Sequence, residues 1–243
     1  MNNGGAPRNN QRKKFILNDY RQPLPSSDEP VAGGKYPATV MWEQKNNGSI
    51  VMKINDGVYD PNSKSNHREV EMDFMHRNIL FEALEEAAMD PNFGQKQIVV
   101  RWKQFVFQPG GGRMSDNPVV QANLTVIRDE NGVVWLGYSK GDYKIKIRFK
   151  GPKETVVYTR NAAGERVEDH GLMSRWAVKG YIKFHRPILD RMEKEGWEPP
   201  KPRGGQGGGN GGGNSWGGNN GGGNGGGGQR QQQSEPEFED IDF

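Results

Sequence analysis

Hydrophobic and polar residues alternate with a period of two through much of this chain, the pattern of half-buried β-strands. From Lys35 to Lys45, Tyr36, Ala38, Val40 and Trp42 fall on one face; from Ser49 to Asn55, Ile50, Met52 and Ile54 do the same. Between them Asn46-Asn47-Gly48 supplies residues that tolerate the positive φ of a tight hairpin turn. Asp56-Gly57 and Asp60-Pro61-Asn62 are turn formers, so residues 56–71 are expected to form a loop.

The period then changes. Over Asp73 to Met89, Phe74, Ile79, Leu80, Ala83, Leu84 and Ala87 make a helical stripe, with Asp73 placed to cap it and Asp90-Pro91 to close it. Alternation returns at Lys96 to Phe107, and the glycine-rich loop Pro109 to Arg113 follows. Val119 to Arg128, Val133 to Tyr138 and Tyr143 to Lys150 are three further strands, joined by Asn131-Gly132 and Lys140-Gly141-Asp142 into an antiparallel meander. A short strand is expected at Thr155 to Thr159 and a turn at Asn161 to Gly164. Pro187 suits the first turn of a helix reaching about residue 195, with Gly196 beyond its end. Leu172 to His185 admits either a helix running into that one or an edge strand; Gly180 and Pro187 argue against one straight helix.

The pattern predicts a mainly β domain over residues 35–198, of ordinary single-domain size, with one clear helix at about 73–89 and a C-terminal helix at about 187–195. Residues 1–34, rich in Asn, Gly, Pro and Ser, read as a mobile arm. The arm carries Arg8, Arg12, Lys13 and Lys14, then an apolar island, Phe15-Ile16-Leu17, able to dock on the body. Residues 199–233 are a Gly/Asn/Gln-rich linker that glycine's entropy keeps from folding. Residues 234–243 form an acidic tail.

Composition narrows the classes. Hydrophobic residues make up only 32%, the glycine tract explaining much of the deficit. Neither a membrane-length apolar run nor the apolar core of a secretory leader occurs, so a cytoplasmic protein without a membrane partner is expected. Cysteine is absent, which removes disulfides and thiolate metal sites, and the four histidines show no metal-ligand spacing. From Gly204 onward one basic residue, Arg230, stands against five acids; this part is −4, so the remainder carries +7 of the overall +3. A basic body with an acidic tail points to an anionic partner.

Tyr143 to Lys150 is the most informative strand. Tyr143, Ile145, Ile147 and Phe149 share one face, and Lys144, Lys146, Arg148 and Lys150 the other. Alternate strand residues stand about 7 Å apart, close to the spacing of successive phosphates in an extended single strand. A solvated lysine face that discourages edge pairing is the structural alternative. In Lys96 to Phe107, Arg101, Lys103, Phe105 and Phe107 interleave cations with rings on one face, while Ile98, Val100, Trp102 and Val106 look like core; the opposite assignment, with Trp102 exposed, stays open. Arg113 and Lys140 add cations in turns. Trp42, Trp135, Tyr138 and Tyr158 are candidate stacking rings, with a place in the core as the structural alternative for each, and basic and aromatic residues interleave again at Arg175-Trp176, Lys179, Tyr181, Lys183 and His185-Arg186. No catalytic triad order, Walker pattern or H-x-E motif is present, and no cofactor is expected. Carboxylates such as Glu69, Glu71 and Asp73 could hold a metal ion, but without a second cluster the signal is near background.

The tail carries the strongest resemblance. Phe238-Glu239-Asp240-Ile241-Asp242-Phe243, behind a Gly/Asn linker and a basic β body, resembles the end of phage and bacterial single-stranded DNA-binding proteins. The phage type is nearer, because its tails end in an acid and Phe, as Asp242-Phe243 does; bacterial tails end in Pro-Phe. The specific part of the likeness covers the last forty residues, and over the body it is one of character. It implies an OB-fold-like antiparallel β-barrel capped by the helix at 73–89, binding single-stranded DNA, with the tail recruiting polymerase, helicase, primase or nuclease. For a phage-encoded chain the compartment would be the host cytoplasm. Homo-oligomerisation is left open. The rival classes are an RNA-binding protein or chaperone, since Gly/Asn tracts also occur there, a metal-dependent nuclease, and a scaffold acting only through its tail.

Overall fold

The computed structural model describes residues 16–18, 24–58, 68–101 and 119–196. The chain divides into a unit spanning Met1–Trp197 and a second, Glu198–Phe243, which lies outside the described residues together with the linker and tail.

The first unit is mainly β, with antiparallel sheets and two helices. Strands β1 (Thr39–Gln44), β2 (Ile50–Asn55) and β3 (Glu69–Glu71) form one sheet in that order. After helix α1 (Phe74–Met89) come β4 (Gln95–Arg101), β5 (Val120–Arg128), β6 (Val134–Lys140) and β7 (Tyr143–Arg148), a four-stranded meander in sequence order. A small hairpin, β8 (Tyr158–Arg160) with β9 (Arg166–Glu168), leads into the long helix α2 (His170–Glu195).

Most expected turns are present. Gly48, Gly132 and Gly164 take the positive φ that the Asn-Gly and Asn-to-Gly turns require, and Gly141 does so between β6 and β7. Ser26 joins the two larger sheets: it bridges to Thr39 of β1 and exchanges two backbone hydrogen bonds with Arg148 of β7, at 3.1 and 2.9 Å. Residues 24–34, assigned by sequence to the mobile arm, are thus part of the fold. Leu17 is also fully buried, and Asn18 exchanges hydrogen bonds with the backbone of Trp42. Among the described residues the strand pairing does not run round into a closed ring, since β3 and β4 each have one strand partner.

Three expectations are corrected. The loop at 56–71 contains β3, whose three residues were too few to show a period; it is held by pairing with β2. In α1 the buried stripe is Arg77, Leu80, Phe81, Leu84, Ala87 and Ala88, while Phe74 and Ile79 are about half exposed. Arg77 fits the core because it donates to the Met72 carbonyl and pairs with Asp190 and Glu193 of α2.

The third correction concerns the C-terminal helix, which begins at His170, not at Pro187. Asp169 caps it by accepting from the Leu172 amide at 2.7 Å, and Pro187 lies inside it. Proline removes one helical hydrogen bond. Here Pro187 and Lys183, whose carbonyl loses that partner, are both exposed, so water can replace the bond. Ser174, Val178, Tyr181, Ile182, His185 and Leu189 form the buried stripe that holds the helix together across the proline. The core joins α1, α2 and the sheets through Trp42, Phe81, Tyr181 and Phe149, whose rings meet at centroid distances of 5.4–6.5 Å.

Candidate nucleic-acid interface

Strand β7 separates apolar from cationic side chains as its alternation predicts. Ile145 and Ile147, followed by Phe149, are buried, whereas Lys144 is exposed and Lys146 and Arg148 are half-buried. Register decides what accompanies the cations, because directly paired residues share a face. Lys144 pairs with Ser139, Lys146 with Gly137 and Arg148 with Trp135. The residue opposite Lys146 has no side chain, and the Trp135 ring occupies the diagonal position. The Lys146 ammonium lies 4.6 Å from the centre of the Trp135 ring and the Arg148 guanidinium 5.6 Å from it. Asp129 fixes the indole from behind, accepting from its Nε1 at 3.0 Å.

The row is only partly neutralised. Arg148 faces Asp28 at 3.8 Å, while among the described residues no carboxylate pairs with Lys144 or Lys146. Beyond the strand, the Lys150 ammonium donates to the Ser27 carbonyl at 3.3 Å. Burial lowers its pKa below the ordinary lysine value; Asp28 opposes that shift, and Arg148 and Lys153 add to it. Lys150 opens onto a cleft of 1120 Å³ lined also by Ser26, Asp28, Tyr36 and Lys153. Tyr36, which the alternation puts on one face with the buried Ala38, is 63% exposed there.

Three candidates leave the interface. Trp42 is buried in the core, its indole donating to the Tyr181 hydroxyl at 2.8 Å. Tyr138 pairs with Ile145 and so belongs to the apolar face; it is fully buried, edge-on to Tyr143, and no base can reach it in the folded protein. Lys140 pairs with Tyr143, again on the face opposite the cationic row, and its ammonium donates to the Glu69 carbonyl at 2.8 Å. Arg175 is directed at the β5–β6 turn, where a Cβ on Gly132 would come within 2.5 Å of its guanidinium. Arg101 is exposed at the end of β4, just past a register shift at Val100/Arg101. Lys179 and Lys183 are exposed on α2. Lys103, Phe105 and Arg113 lie outside the described residues, as do Phe238, Glu239, Asp240, Ile241, Asp242 and Phe243.

The carboxylates considered for a metal have other roles. Glu69 pairs with Lys45 at 2.8 Å and Asp73 caps α1. Among the described residues no three His, Asp or Glu side chains gather as a cation cage, and no helix is long and apolar enough to cross a membrane. Trp176, one of the rings interleaved with cations in the segment that the sequence leaves open between helix and strand, is 54% exposed on α2. Its signal, a ring between Arg175 and Lys179, has meaning only once the segment is known to be helical. Comparison with protein-family models, curated proteins and solved structures found no match for the chain.

Proposed function

We propose that this chain is a non-enzymatic, sequence-independent single-stranded DNA-binding protein. It coats and protects the strand during replication, recombination and repair, and recruits replication enzymes through its acidic tail. The observation that carries this reading is the row Lys144, Lys146 and Arg148 on one face of β7, with the Trp135 ring beneath two of its cations. Like charges aligned on a sheet face oppose folding, so an anionic ligand is the natural counterpart of the row. Cations that follow phosphates beside a ring that stacks on bases are the elements of sequence-tolerant single-strand binding.

An OB-like, partly open barrel fits the same reading. Ser26 links β1 to β7, while Gln121 accepts from the Glu71 amide and Lys140 donates to the Glu69 carbonyl, drawing β3 toward the meander. In the tail, Phe238, Ile241 and Phe243 offer apolar anchors, and Glu239, Asp240 and Asp242 offer charge to a basic pocket on a partner. Tethered by the glycine linker, the same acids compete with DNA for the body at high effective concentration. Nuclease protection tests the reading: saturating protein should shield long single-stranded DNA along its whole length, and digestion at the rate of naked DNA would contradict it.

A further inference from the structure

Helix α2 carries a feature that the cationic row does not use. Trp176, Gly180 and Phe184 follow one another at single-turn intervals, so Trp176 and Phe184 stand about 12 Å apart along the axis at 1.5 Å per residue. Gly180 lies midway, and a Cβ placed on it would meet nothing within 4 Å. Glycine inside a helix is about 1 kcal/mol less favourable than alanine, so the open position here runs against helix propensity. The result is a notch in the helix surface, part of a cavity of 340 Å³ bounded by Trp176, Tyr181, Phe184 and the segment Lys150-Gly151-Pro152. Gly151 lets that segment lie against Met173, where any Cβ would collide with the methionine sulfur.

The chemistry around the notch is mixed in a particular way. Its walls are aromatic and apolar, and the Trp176 ring is 54% exposed. Its surroundings are cationic: Lys150 lines the cavity, while Lys179 and Lys183, one turn apart, are both exposed on the same helix. A neutral apolar ligand would have no use for the ammonium groups, and a bare anion no use for the ring. A flat aromatic group joined to phosphates uses both.

We infer that the Gly180 notch is a slot for one nucleobase of a bound single strand, stacked on Trp176 with its flanking phosphates held by Lys150, Lys179 and Lys183. This rests on the proposed single-strand binding and assigns it a second contact, on α2, reached past Lys150 from the β7 row. Lys150 lines both this cavity and the cleft beside Tyr36, so one strand has a continuous lysine contact at the point where the two meet.

The test uses the full chain and oligo-dT carrying 5-bromodeoxyuridine. Gly180→Leu fills the notch with a strong helix former, so its melting temperature should equal or exceed that of the unaltered protein. Its affinity for oligo-dT should fall about 5- to 150-fold, the range for loss of one stacked base. Photocrosslinking should map to Trp176 in the unaltered protein and disappear in Gly180→Leu. Trp176→Ala should lose similar affinity, whereas Trp176→Phe should retain most of it. Unchanged affinity in Gly180→Leu and Trp176→Ala, with no crosslink at Trp176, would overturn the slot while leaving single-strand binding intact. Failure of the unaltered protein to bind oligo-dT would overturn the parent reading as well.

Discussion

The ammonium of Lys146 lies 4.6 Å from the centre of the Trp135 ring, across the pair of strands that a two-residue turn at Gly141-Asp142 brings together. Both side chains are half-buried on the face opposite the core. Under the proposed function, a cation held against a ring it shares with Arg148 would meet a strand whose phosphates and bases arrive together.

Replacing Lys144, Lys146 and Arg148 together with Ala should weaken oligo-dT binding and flatten its salt dependence. Each phosphate contact on a single strand contributes about 0.7 to the slope of log affinity against log salt, so three lost contacts should reduce it by about 2. Equilibrium titration between 50 and 200 mM salt measures this, those concentrations being roughly the range over which counterion release is readily resolved. An unchanged slope would remove β7 from the interface.

Trp135→Ala should reduce affinity by about 1–3 kcal/mol if a base stacks on its ring. In the unaltered protein, binding should quench the Trp135 contribution to fluorescence. That component is isolated by comparing the protein with Trp135→Phe. Quenching of equal amplitude in both proteins would place the stacking elsewhere.

Deleting residues 236–243 should leave DNA binding intact or tighter while abolishing recruitment of a replication enzyme. Affinity measured beside a pull-down of polymerase or helicase separates the two effects. Weaker DNA binding by the truncated chain would refute competition between tail and strand.

Tyr181→Phe should destabilise the body while leaving the β7 row in place. The Trp42 indole donates to the Tyr181 hydroxyl at 2.8 Å within the core, and removing that acceptor leaves a buried N–H unpaired. The cost should be about 1–3 kcal/mol, read as a fall of several degrees in melting temperature.

His185 gives the body an acid-sensitive stability. Burial holds its imidazole below the ordinary histidine pKa, against the raising influence of the Tyr181 and Leu17 carbonyls. The unfolded chain therefore takes up a proton at about pH 6.5 that the folded chain does not accept until lower pH. Stability is fully present above about pH 6.5 and falls as pH drops from there toward the folded value. Denaturation midpoints at neutral and mildly acid pH should show this loss, and His185→Gln should reduce it.

The strands and their cationic face were legible because β7 alternates without exception from Tyr143 to Lys150. The positions of Lys140 and Tyr138 were within reach of the same reading. A two-residue turn sets Lys140 opposite Tyr143 and Tyr138 opposite Ile145, which moves both to the core face. Other features depended on distant partners. Arg77 belongs in the stripe of α1 only because α2 returns Glu193 to it from 116 residues further along the chain. Likewise, Gly180 and Pro187 weaken local helix propensity, but the buried stripe from Ser174 to Leu189 outweighs them. Trp176 was visible as a ring among cations, but its neighbours across a helix turn were undefined while the segment stayed open between helix and strand.

The most direct measurement is one titration series with oligo-dT, oligo-rU and a duplex of equal length at two salt concentrations. The account predicts tightest binding to oligo-dT, weaker binding to the duplex, and a marked loss of affinity at the higher salt. Equal or tighter binding of oligo-rU, or no preference for single strands over duplex, would contradict it.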